Sequence, residues 1–208
     1  WLRSSCSSAA VRATWLSLLK QDNDPKQRRA AHQHLERLVG YSLDFDALAS
    51  LLAAQKLYPE AVVVFPGSQE ATLRNFFVKS MVYLFNMADI KDIDFTKIKR
   101  LVLVDTRQAK RIGSMAGLLE EPGLEIHIYD HHPPAPNDIA GHFVVHELTG
   151  ANVTLLVERI RQKGLSVSAD EATIMCLGIY EDTGSFTFPS TTEKDFRAAA
   201  YLLSKGAN

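Results

Sequence analysis

The sequence predicts an α/β fold in which a parallel sheet is covered by helices on both faces. Three short, continuous apolar runs read as buried strands: AVVVF at 61–65, RLVLVD at 100–105 and EIHIYD at 125–130. Helical stretches lie between and after them. Strands that alternate with helices pair in parallel, because the crossover helix brings each strand back in the same direction.

The elements follow in order. PKQRRAAHQHLERL at 25–38 is rich in helix formers and opens on Pro25, which suits a first helical turn. It belongs to an atypical helical segment over residues 1–40, which precedes the domain proper at 41–208. DALASLLAAQKL at 46–57 predicts a second helix, and the strand at 61–65 is closed by Pro66 and Gly67. A helix is expected at about 69–86, then the strand at 100–105, a short helix around AGLLEE and the strand at 125–130. GANVTLLVERIRQKG at 150–164 has helical spacing and a glycine stop at Gly164. Ser168 with Glu171 three residues later forms a capping-box pattern ahead of an apolar run, and the last helix starts in TTEKDF and ends near Gly206.

Composition narrows the classes. A chain of 208 residues with 46% hydrophobic content can bury one sizeable core. Lys and Arg number 23 against 24 Asp and Glu, so no global basic field advertises nucleic-acid binding. Cys6 and Cys176 form no metal-type pair, which favours a reducing cytoplasmic setting. No apolar run is long enough to span a bilayer, and no signal peptide is legible, so the chain is expected to be soluble. It begins with Trp1, as a fragment or processed product would.

The functional question is posed by IYDHHPPAP at 128–136. Asp130, His131 and His132 fall where a strand ends, the edge at which open α/β sheets bind ligands. Alone, the triplet is equally a proline-stiffened turn. Asp105 ends the preceding strand, Asp44 and Asp46 stand two apart before a helix, and Asp182 lies where a helix gives way to Gly184. Each has a plain alternative: Asp46 suits a helix N-cap and Asp182 a turn. Together, carboxylates and imidazoles supply what a pair of hard divalent cations needs. His142 and His146 share a strand face and are a minor metal alternative, Cys176 reads as a core residue, and no phosphate-cradling GxxxxGK[ST] loop is present.

DFD, LVDTR, DHHP and EDTGSF, in that order and spacing, resemble the four motifs of the DHH phosphoesterase superfamily, over about residue 43 to the C-terminus. The resemblance implies an N-terminal DHH-type domain that hydrolyses phosphodiester or phosphoanhydride bonds of short nucleic acids or nucleotides with up to two manganese or magnesium ions. It implies that Asp44 ligates the first metal, Asp46, His131 and Asp182 the second, and Asp105 both. Asp130 would orient the imidazoles, and His132 would face the substrate phosphate. Arg107, after VDT, would contact phosphate or pair with an acid. Two departures stand out. Gly40 occupies the place of the family's first-metal histidine, four before Asp44, which leaves that site weak or empty unless His32 or His34 substitutes. The substrate-clamping C-terminal domain is also not found. FPGSQEATLRNFF is most similar to a subgroup that carries CBS domains and a poly(A) polymerase or tRNA nucleotidyltransferase module, so the alternative is a weakly active or inactive binding domain of a larger RNA-processing protein. Neither the substrate nor the oligomeric state is legible.

Overall fold

The computed structural model describes residues 44–64, 84–86, 88 and 92–208. The helix expected at 25–38, most of that at 69–86, and Gly40, His32 and His34 lie outside them.

Helix α1, Phe45–Leu57, follows the Ala- and Leu-rich run that predicts it. Its N-cap is Asp44 rather than Asp46: Asp44 holds an extended backbone, and its Oδ1 accepts from the Ala47 N–H at 2.8 Å. Of the apolar run at 61–65, residues 61–64 are described and form less than a strand. Val63 donates to the Asn86 carbonyl at 2.8 Å and accepts from the Ala88 N–H at 3.3 Å, a single bridge, while Val62 is exposed.

The three named strands are β1, Arg100–Val104, β2, Glu125–Asp130, and β3, Phe143–His146. They form a parallel sheet in the order β1-β2-β3. Val104 stands opposite Tyr129, and Asp130 opposite His146, so all three strands end at one edge. Strand alternation divides the core. Leu101, Leu103, Ile126 and Ile128 pack on Ile112, Met115 and Leu118, whereas Val102, Val104, Tyr129 and Val145 pack on the helices. The first of these faces is covered by a 3-10 segment, Gly113–Glu120, where a short helix was expected. Two glycines within eight residues weaken an α-helix there.

Helices α2, Asn152–Gln162, α3, Ala169–Asp182, and α4, Glu193–Ser204, complete the chain. The capping box of Ser168 and Glu171 forms as the sequence predicts, and a second joins Thr192 to Asp195. Leu156, Ile160, Met175, Ile179 and Leu202 are fully buried between these helices and the sheet. Truncating one of the leucines to alanine would cost about 2–5 kcal/mol. Cys176 packs against the same cluster, and burial pushes its thiol up. No helix among the described residues is long and apolar enough to cross a membrane.

Candidate metal centre

Four elements deliver acidic or imidazole groups to the C-terminal edge of the sheet. Asp105 directly follows β1 and continues the ladder by donating its N–H to the Tyr129 carbonyl at 2.9 Å. It turns the chain with φ of 57°, a left-handed conformation that Asp tolerates better than most residues. Asp130 ends β2, and His131 and His132 follow it. Asp46 arrives from the first turn of α1, and Asp182 from the last residue of α3. Beyond Asp182 the chain leaves through three consecutive left-handed residues, Gly184, Ser185 and Phe186. Strain of this kind persists only where its surroundings enforce it.

The groups converge on one atom. His131 Nε2 lies 3.3 Å from Asp105 Oδ1, 3.4 Å from Asp182 Oδ2 and 3.9 Å from Asp46 Oδ2. Its Nδ1 donates to the Thr149 carbonyl at 2.9 Å, so that in the neutral ring Nε2 carries the lone pair. Asp46 does not cap its own helix. Its two oxygens accept from the Asn152 and Val153 N–H groups at 2.6 and 2.9 Å, which caps α2 from across the core. Among the described residues, Asp46, His131 and Asp182 form one group whose ligand atoms lie within 4.8 Å of one another, and Asp105, His131 and His132 form another. Asp44 belongs to neither, although it is close enough to Asp105 for each charge to act on the other.

His132 is held from behind. Its Nδ1 bonds Asp130 Oδ1 at 2.8 Å and stands 3.7 Å from Asp105, with 43% of the side chain exposed. Asp130 touches this one imidazole, and His131 is oriented by Thr149 instead. Arg107, expected at the phosphate or at an acid, takes the second course. Its Nε donates to Asp130 Oδ2 at 2.7 Å and its Nη2 to the His132 carbonyl at 2.9 Å, while the guanidinium also lies 3.4 Å from Asp138. His146 Nε2 reaches the same His132 carbonyl at 2.8 Å, and His142 Nδ1 accepts from the Ile126 N–H at 3.1 Å. These two histidines therefore do not come together as a metal pair.

Burial and mutual repulsion act on the acids of the site. Burial, then Asp105 and Asp182, hold Asp46 well above the usual carboxylate range; burial and Asp105 also raise Asp44. Asp182 is pushed up to about 6, first by burial and then by Asp105 and Asp44. Burial opposes charge on His131, but its bond to Asp105 and the field of Asp46 lift it to about 9. The Asp130 bond raises His132. Asp130 itself is lowered despite burial, because His132 and Arg107 donate to it. Carboxylates whose ionised forms are disfavoured by burial and by one another, around a correctly oriented imidazole nitrogen, fit a divalent cation, which would offset their charge. Access is from the side of Asp182 and His132, which are 36% and 43% exposed against 1% for Asp46.

Thr149 and Glu181 carry site geometry that the sequence reading does not single out, and His146 serves it by bonding the His132 carbonyl rather than as a ligand. Glu181, one residue before Asp182, accepts from the Phe45 N–H at 2.7 Å and so fixes the start of α1 beside Asp44 and Asp46.

No family model matches the chain. It is 48% identical over 165 residues to the A-adding tRNA nucleotidyltransferase of Geobacter sulfurreducens, an alignment covering 79% of this chain and 19% of that protein. It is 27% identical over 176 residues to a probable bifunctional oligoribonuclease and PAP phosphatase, NrnA, of Streptococcus mutans, covering 83% of this chain and 51% of that one. The solved structure of a putative family II inorganic pyrophosphatase of Methanococcus jannaschii shares the fold, with a TM-score of 0.58 at 21% identity over 78% of this chain and 52% of the other.

Proposed function

Because the chain belongs to the DHH phosphoesterase superfamily, we propose that it is a divalent-metal-dependent domain that hydrolyses phosphodiester or phosphoanhydride bonds of short nucleic acids or nucleotides. The observation that carries this reading is the convergence of Asp46, Asp105 and Asp182 on His131 Nε2. Those four residues would hold one manganese or magnesium ion, whose preference for carboxylate oxygen with some imidazole they match. Asp105 would also face a second ion beside Asp44, with Gly40 in the place of a histidine ligand. A cation there offsets charge on phosphoryl oxygens and acidifies water at neutral pH.

The chain's own groups do the rest. By accepting from Nδ1, Asp130 favours the imidazolium form of His132, and in that form the second proton, on Nε2, would be donated to a phosphoryl or leaving oxygen. Arg107 braces Asp130 and the His132 backbone, so its part in phosphate binding is to fix the residue that makes contact. Thr149 sets the His131 ring.

A second reading has its own support. The relative at 48% identity is an A-adding tRNA nucleotidyltransferase of which this chain spans 19%, which favours a binding or regulatory part of a larger RNA-processing protein; the CBS and nucleotidyltransferase domains that the resemblance implies would lie beside it. The test is hydrolysis of a short end-labelled oligoribonucleotide under saturating manganese, beside calorimetric manganese binding. Metal-dependent release of nucleotides that disappears in Asp105→Asn supports the first reading. Manganese binding without turnover selects the second, and no binding by the wild-type chain overturns the metal site in both.

A further inference from the structure

The peptide joining Thr149 to Gly150 is held at both ends. Its carbonyl accepts from His131 Nδ1 at 2.9 Å, and its N–H donates to Asp195 Oδ2, also at 2.9 Å. Asp195 lies outside all four motifs and is fully buried. Its carboxylate gathers further donors: the Ala151 N–H at 3.3 Å, Thr154 Oγ1 at 2.6 Å, and the N–H and Oγ1 of Thr192, each at 2.7 Å. Gly150 leaves no room for adjustment. A Cβ there would stand 2.8 Å from Asp195 Oδ2 and 2.7 Å from Thr183 Cγ2, next to Asp182.

We infer that Asp195 is a positioning residue for His131: by fixing the plane of the Thr149–Gly150 peptide it keeps the Thr149 carbonyl on Nδ1 and leaves Nε2 aimed at Asp46, Asp105 and Asp182. The partner on the far ring nitrogen sets the tautomer and tilt of a ligating imidazole. Here that partner is a carbonyl, and a carbonyl stays in place only if its peptide does. A carboxylate on the N–H side also draws electron density toward the oxygen, which strengthens the bond to Nδ1. The inference rests on reading this edge as a divalent-cation site.

The simpler role for Asp195 is capping of α2 and α4, and variants separate the two. Asp195→Ala removes the Gly150 bond. Asp195→Asn keeps an oxygen for the Gly150 N–H, with the amide nitrogen on the side of Thr154, whose hydroxyl can turn to accept from it, at the loss of the long 3.3 Å bond from the Ala151 N–H. Thr192→Ala weakens the α4 cap and leaves the Gly150 bond intact. Two measurements are made on the full chain: ring nitrogen-15 shifts of His131 in metal-free protein above its transition, and manganese affinity by calorimetry. The expected result is an Nδ1–H tautomer in wild type, Asp195→Asn and Thr192→Ala. Asp195→Ala shifts toward Nε2–H and binds manganese roughly 10–100-fold more weakly. Should that variant fail to fold, Asp195→Ser, which still caps locally but is one bond too short for Gly150, gives the same two readouts. Wild-type tautomer and affinity in the variants that lose the Gly150 bond would overturn the inference, as would an equal loss in Thr192→Ala. A wild-type chain that binds no manganese defeats the cation reading alone, because the tautomer still tests Asp195.

Discussion

His131 is common to both groups of candidate ligands, and Asp105 Oδ1 faces it at 3.3 Å and His132 at 3.7 Å. Asp44 faces the same region, but its Oδ1 is committed to the Ala47 N–H. Asparagine replaces either residue with little harm to the backbone: it tolerates the left-handed conformation at 105 and caps a helix at 44 as well as aspartate does. Differences between Asp105→Asn and Asp44→Asn therefore report ligation rather than folding. Asp105→Asn is expected to lower manganese affinity at least tenfold more than Asp44→Asn, a gap of about 1.4 kcal/mol measurable by calorimetry. Equal affinities would remove Asp105 from the shared position. Asp105, His131 and Asp182 were legible in the sequence because each stands where an apolar run stops. The Thr149 carbonyl was not, because a backbone acceptor looks the same in every residue.

Helices α1 and α3 meet where Gly178 lies against Ala49. A Cβ at 178 would stand 2.6 Å from the Ala49 Cβ, 3.0 Å from the Phe45 carbonyl and 3.2 Å from the Asp46 Cα. One helical turn after Gly178, the same helix presents Asp182, so this contact sets the distance between Asp46 and Asp182. Gly178→Ala gains about 1 kcal/mol of helix propensity and incurs about 1–3 kcal/mol of overpacking. The expected outcome is a lower melting temperature together with weaker manganese binding. An unchanged or higher melting temperature would show that the helices separate freely. The positions of α1, α2, α3, β1 and β2 were readable because apolar spacing encodes which face is buried. The trans-caps on α2 were not, since Asp46 lies 106 positions from Asn152, and Asp195 45 from Gly150, beyond any local pattern. Of the run at 61–65, the described residues 61–64 make a bridge at Val63, and apolar content alone does not reveal how many ladder bonds such a run will find.

The whole domain is shaped by a cost that a cation would remove. Asp44, Asp46, Asp182 and His131 are all raised in the folded chain, so the folded state binds more protons than the unfolded one. Stability of the metal-free protein therefore falls as pH rises through these groups. For Asp182 the loss runs from its ordinary 3.8 to about 6. For His131 the contribution is complete below 6.5 and lost as pH rises through about 9. Asp130 and Glu171, both lowered, act in the opposite sense but in a more acid range, since what they contribute is lost only as pH falls below their ordinary values. Manganese should reverse the slope, because binding releases the same protons and so strengthens as pH rises. At one hundred times its dissociation constant a bound ion adds about 2.7 kcal/mol, or roughly 5–10 °C in melting temperature for a chain of this size. Thermal unfolding with and without manganese, at about pH 5 and about pH 8, checks both signs. The metal-free protein should melt lower at the higher pH, and the manganese shift should be large there and small at the lower pH. A metal-free chain that gains stability between the two, with the same manganese shift at both, would mean that protons and cation do not compete for these residues.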